Sequence, residues 1–187
     1  GLWVGGDATP NKRTAAYASV VQHSQEVASP KQLACCPACG SKLKWSMAST
    51  TSPVEVSCEN TECVMYGPLP VHTVDEDIYD IRPTLLIGTV DKFAQVVREK
   101  RTNRLFAVSE GSPPDLIIQD ELHLISGPLG TIAGVYESAF DLMFAARGRR
   151  AKVIGSTATI RRAPEQVRAL FDREAFQFPP PAIDHDD

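Results

Sequence analysis

Apolar residues occur along this chain in short runs, each cut off by polar or turn-forming residues. Leu85-Leu86-Ile87, Leu116-Ile117-Ile118 and Ala151 to Ile154 are too short for helices and include β-branched members, so they predict buried strands of a parallel sheet. Leu2 to Val4 and Ala175 to Phe178 read as further short strands. Where apolar positions recur every three or four residues the pattern turns helical. This predicts helices over about 12–27, started by Thr9-Pro10-Asn11 and stopped by Ser29-Pro30, and over about 90–100. Two more are expected, over about 131–146 with an apolar face from Ile132 to Met143, and over about 163–171. Between them, Arg101 to Pro114 reads as a polar loop. Alternating strands and helices of this kind predict an α/β fold.

A different pattern occupies 30–72, which carries all five cysteines. Cys36-Pro-Ala-Cys39-Gly40 has the spacing of a zinc knuckle, with a glycine that permits the tight turn. Cys58 and Cys63 supply a second, looser pair. Eighteen residues lie between Cys39 and Cys58, enough for a β-hairpin with strands over Lys42–Trp45 and Val54–Ser57. Cys36, Cys39, Cys58 and Cys63 would close a tetrahedral structural zinc site, the module being too small to fold around a core of its own. Cys35 is the spare thiol and would replace Cys36 only at a less usual spacing. His72 is a distant alternative ligand and reads more simply as a surface histidine.

Functional groups of parallel sheets collect at the carboxyl ends of strands. Leu116 to Ile118 leads into Asp120-Glu121-Leu122-His123. Adjacent carboxylates at such a strand end suit nucleotide hydrolysis: Asp120 to hold Mg²⁺, Glu121 to orient or deprotonate water. Leu85 to Ile87 leads into Gly88-Thr89-Val90-Asp91-Lys92-Phe93, and Ala151 to Ile154 into Gly155-Ser156-Thr157-Ala158-Thr159. Thr89 and Lys92 stand near a helix start, where a hydroxyl, an ammonium and free N–H groups can meet a phosphate.

These three strand ends resemble the first motor domain of superfamily 2 helicases. Asp120 to His123 matches their Asp-Glu-x-His box. Ser156 to Thr159 matches their Ser-Ala-Thr coupling motif with one inserted threonine, and Thr89 to Phe93 resembles the segment that touches the nucleic-acid backbone. Together with Gly1 to Gly5, Asp7 to Asn11 and the cysteine cluster, the chain is similar to DrmA-type helicases of the bacterial DISARM anti-phage system. The resemblance implies a partial three-layer RecA-like domain of the P-loop NTPase class, with a zinc ribbon inserted. Residues 1–29 and 73–178 would be motor, 30–72 ribbon, and 179–187 a proline-rich acidic linker. It implies an ATP-dependent helicase or translocase acting on nucleic acid, DNA in the first instance, with Mg²⁺ and ATP as cofactors and other defence proteins as partners. His123 would relay nucleotide state towards Ser156, Thr157 and Thr159.

Composition narrows this only slightly. With 187 residues, 43% hydrophobic and 22% charged, the chain reads as a soluble domain able to bury roughly 70% of its unfolded surface. No apolar run approaches a membrane span and no secretory signal is present, so a cytoplasmic address is expected. The net charge of −4 gives no whole-chain footprint for nucleic acid. Basic groups cluster only locally, at Arg98 to Arg104 and Arg147 to Lys152. No Gly-x-x-x-x-Gly-Lys-Ser/Thr loop occurs, and the chain opens at Gly1 without a methionine. The expectation is a piece of a longer protein, with the phosphate loop upstream and a second motor domain downstream. Two readings compete with it: a non-catalytic zinc-ribbon module binding nucleic acid or protein, and a metal-dependent hydrolase of another kind built on Asp120 and Glu121.

Overall fold

The computed structural model describes residues 1–106, 111–125, 127–157 and 163–178. They form a mixed α/β structure divided into two compact units, Gly1–Gly111 and Ser112–Asp187. Among the described residues, no helix is long and apolar enough to cross a membrane.

The first unit runs β1 (Leu2–Trp3), α1 (Arg13–Val20), β2 (Leu43–Ser46), β3 (Glu55–Cys58), β4 (Gly67–Leu69), α2 (Asp75–Ile81), β5 (Ile87–Gly88) and the single turn α3 (Val90–Phe93). β1 and β5 pair in parallel, Leu2 beside Ile87 and Trp3 beside Gly88. The antiparallel sheet β2-β3-β4 therefore lies, in sequence, between two hydrogen-bonded neighbours. Trp3 is fully buried, with Tyr79 and Phe93 edge-on at 6.1 and 5.6 Å. A second cluster joins Ala16 of α1, Val54 before β3 and Val74 before α2, with Trp45 and Met47 against it.

Helix α1 stops at Val20 instead of continuing to Val27. After it the chain turns, with His23 at a positive φ of 58°, because the polar stretch 22–26 offers nothing to bury. The helix expected over 90–100 breaks into α3 and a 3₁₀ turn, Ala94–Val97, and a second 3₁₀ turn, Lys100–Arg104, occupies part of the expected loop. Strand β4 and helix α2 are additions to the sequence reading. α2 begins Asp75-Glu76-Asp77, an acidic first turn that complements the helix dipole, yet Asp75 and Asp77 are buried.

The second unit runs β6 (Leu116–Gln119), a 3₁₀ turn (Leu122–Leu124), α4 (Gly127–Ala145), β7 (Lys152–Gly155) and α5 (Ala163–Phe171). β6 and β7 are parallel and in register from Leu116 beside Lys152 to Gln119 beside Gly155. Val153 of β7 and Val167 of α5 pack on a core of Leu122, Ile125, Ala133, Leu170 and Phe171. The expected burial of β6 on both faces is not seen: Leu116 and Ile118 are 46% and 62% exposed, since this sheet has two strands among the described residues. No strand forms over 175–178; Phe176 and Phe178 are exposed, and among the described residues nothing pairs with that backbone.

Candidate metal centre and acidic strand end

The cysteine site is assembled by two tight turns at one end of the β2-β3-β4 sheet. In the first, Cys36 N–H donates to the Ser41 carbonyl and Gly40 N–H to the Cys36 carbonyl, at 2.8 and 2.9 Å. Gly40 sits at φ 72°, a conformation that costs glycine nothing. In the second, Cys63 N–H donates to the Asn60 carbonyl at 3.0 Å, while Cys58 is the last residue of β3. The sulfurs of Cys36, Cys39, Cys58 and Cys63 all lie within 4.8 Å of one another, with Cys36–Cys63 and Cys39–Cys58 each at 3.7 Å. A tetrahedron with metal–sulfur bonds of about 2.3 Å has edges of about 3.8 Å, so this cage is the right size for one thiolate-preferring ion. Cys35 is exposed and stands outside the cluster.

The sulfurs also perturb one another's ionisation. Hydrogen bonds from the Ser41 side chain and backbone bring Cys39 down to about 6. Met65 N–H donates to the Cys63 sulfur, but burial and the neighbouring thiols outweigh it and push Cys63 up to about 12. Four thiolates this close repel one another, and a bound dication is what allows all four to ionise.

The acidic strand end lies in the second unit. Asp120 follows β6, is exposed, and accepts the Glu121 N–H at 2.9 Å. Glu121 takes φ 51°, ψ 43°, a left-handed conformation that non-glycine residues seldom adopt. That turn brings the Glu121 carboxylate to 3.2 Å from His123 Nδ1, which also lies 3.4 Å from Thr157 Oγ1. Backbone bonds tie the same two segments: Ser156 N–H donates to the Gln119 carbonyl at 2.8 Å, and Leu122 N–H to the Ser156 carbonyl at 3.0 Å. Asp120, Glu121, His123, Ser156 and Thr157 thus gather at the carboxyl ends of two adjacent parallel strands. Thr159 lies outside the described residues.

Thr89 and Lys92 belong to the first unit. Thr89 is exposed at the start of α3 and makes no side-chain cap. Lys92 differs from expectation. Its side chain is 1% exposed, and its ammonium donates to Asp75 at 2.7 Å and to Asn11 at 3.1 Å, so no charge is presented to a phosphate in solvent. Burial is the larger influence on Asp75 and raises its pKa in spite of Lys92.

Two supporting groups had escaped the sequence reading. Asp77 accepts from Arg13 Nε at 2.7 Å and from Val54 N–H at 2.9 Å, joining α1, α2 and the approach to β3. Gln166 donates to the carbonyls of Leu122 and Ile125, at 3.0 and 2.8 Å. Its signal was available: it precedes Leu170 by four residues, which makes it a polar group on the apolar side of a helix.

No family model matches the chain. It is similar over its whole length to DISARM protein DrmA of Bacillus paralicheniformis, with 34% identity over an alignment 239 positions long. The chain spans 21% of that protein's length.

Proposed function

We propose that this DrmA-like chain is part of the first motor domain of an ATP-dependent DISARM helicase or translocase acting on nucleic acid, with DNA the expected substrate. The observation that carries the reading is the joining of the two strand ends. Asp120-Glu121 and Ser156-Thr157 emerge from neighbouring parallel strands, and His123 lies within reach of both Glu121 and Thr157. In a RecA-like sheet this is where nucleotide state would be converted into a change on the nucleic-acid side. The whole-chain similarity to DrmA supports the same assignment.

In this reading Asp120 would hold Mg²⁺ through its exposed carboxylate, which also accepts the Glu121 N–H. The metal would supply charge neutralisation at the phosphates. Glu121 orients and deprotonates the attacking water. His123, between Glu121 and Thr157, transmits the state of the acidic box to Ser156 and Thr157, with Thr159 expected to extend the path. Thr89 remains a backbone-contact candidate, whereas Lys92 is reassigned to holding the fold. Cys36, Cys39, Cys58 and Cys63 would hold zinc, and its role would be structural because four thiolates leave no open position. Residues 30–72 are the zinc-ribbon insertion and 1–29 and 73–178 the motor; the linker assigned to 179–187 lies outside the described residues. A cytoplasmic location goes with this assignment.

The full-length protein tests it. Nucleotide hydrolysis should need Mg²⁺ and rise when DNA is added, and Asp120→Asn should weaken Mg²⁺-dependent nucleotide binding. Binding and hydrolysis untouched by Asp120→Asn would remove Asp120 from the site.

A further inference from the structure

Glu121 and His123 sit on a backbone that is too short to hold itself. The 3₁₀ turn Leu122–Leu124 is three residues long and follows a glutamate in the left-handed region. Within it, Leu124 N–H donates to the Glu121 carbonyl and Ile125 N–H to the Leu122 carbonyl, at 2.9 and 3.1 Å. Those bonds close the turn but do not fix it in space. Its entry is fixed by the residue that follows β7, through the bond from Leu122 N–H to the Ser156 carbonyl. Its far side is held by α5, through Gln166 and the packing of Leu170 and Phe171.

We propose that Gln166 is a positioning residue for the acidic box. The inference rests on the proposed role of Glu121 and His123. One Nε2 donates both of its hydrogens, to Leu122 and Ile125, and these two carbonyls bracket His123-Leu124. An amide suits this position, because a carboxylate would set lone pairs against lone pairs and a thioether would offer no donor. Helix α5 gives it a firm base, because Leu170 and Phe171 are buried against Leu122, Ile125 and Ala133, with Val167 packed alongside. The Ile125 carbonyl is crowded from the other side too: a Cβ at Gly130 would stand 3.3 Å from its oxygen. These contacts tie α5 to the backbone between Leu122 and Ile125. Since α5 follows Ser156 and Thr157 in the chain, Gln166 gives that segment a second hold on the acidic box, independent of the Thr157–His123 contact.

The test compares Gln166→Met, of similar length and helix propensity but without donors, with Gln166→Lys, which keeps donors, in the full-length protein. Glu121→Gln is run beside them. Gln166→Met should lower DNA-stimulated ATP hydrolysis by about tenfold, since small misplacement of catalytic groups is costly, while KM for ATP stays near wild type. Amide hydrogen exchange over residues 122–125 should quicken in the same variant. Gln166→Lys should recover most of both effects. Wild-type hydrolysis and exchange in Gln166→Met would overturn the proposal, as would equal losses in Met and Lys. If the Met variant fails to fold, Gln166→Lys decides alone: near-wild-type stimulation and protection uphold the donor role, and their loss in a folded protein overturns it. Wild-type hydrolysis in Glu121→Gln would instead overturn the reading of the acidic box on which the proposal rests.

Discussion

A lysine ammonium almost fully removed from water survives in the first unit because Asp75 and Asn11 meet it. Lys92→Met would leave the Asp75 carboxylate buried without a cation and should destabilise the fold by about 3–5 kcal/mol. Adding Asp75→Asn should regain most of that loss in a denaturant titration. If Lys92 acts only within the fold, the double variant should also bind DNA like wild type. The pairing is hidden in the sequence, since nothing in the run Asp75-Glu76-Asp77 marks Asp75 as buried. The placement of Asp120, Glu121 and His123 just after a strand was legible because it follows from the apolar run Leu116 to Ile118 alone. Glu137 of α4 offers a second residue-scale test: burial, then the nearby Asp141 carboxylate, push it up to about 7 from an ordinary 4.5. A carboxyl that holds its proton more tightly when folded adds stability that is fully present below pH 4.5 and lost as the pH rises through 7. Melting temperature should therefore fall by a few degrees between pH 5 and pH 8, and Glu137→Gln should flatten the profile.

Helix α2 links the cysteine module to the rest of the first unit. Asp77 takes Arg13 from α1 and Val54 N–H beside β3, while Asp75 takes Lys92 from α3. Val54 also packs between Ala16 and Val74. Purified protein should contain about one zinc per chain. On chelation, or in Cys39→Ser, hydrogen exchange should quicken through β2, β3 and β4 and then spread into α1 and the first turn of α2. Loss confined to 30–72 would mean that these contacts do not couple the two. Elements with a plain pattern were readable, among them β7, α5 and the hairpin strands to within a residue. Strand β4, Gly-Pro-Leu, and α2, with four acidic residues among seven, carry no such pattern. They form because neighbouring strands and buried cations accept them, and a one-dimensional reading does not contain those partners. The expected strand at 175–178 had the apolar composition but, among the described residues, no neighbour to pair with.

At the scale of the whole chain, two compact units divide the proposed functions: the cysteine cage and Thr89 belong to one, the acidic box with Ser156 and Thr157 to the other. The parallel pairs β1-β5 and β6-β7 agree with the expected mixed α/β class, and the β2-β3-β4 sheet falls, in sequence, between β1 and β5. No Gly-x-x-x-x-Gly-Lys-Ser/Thr loop is present to cradle the β- and γ-phosphates, so these 187 residues alone should not turn over ATP. Hydrolysis by them that Asp120→Ala abolishes would show that the phosphate site has been misplaced. The central claim is that Glu121 activates water in a nucleic-acid-coupled motor. It is tested most directly by measuring ATP hydrolysis and Mg²⁺-ATP affinity side by side in the full-length Glu121→Gln protein, with and without DNA. This variant keeps shape and hydrogen bonding but removes the charge, so hydrolysis should fall on the order of 10² or more while affinity is retained. Hydrolysis at the wild-type rate would contradict the account and leave the acidic box a structural strand end.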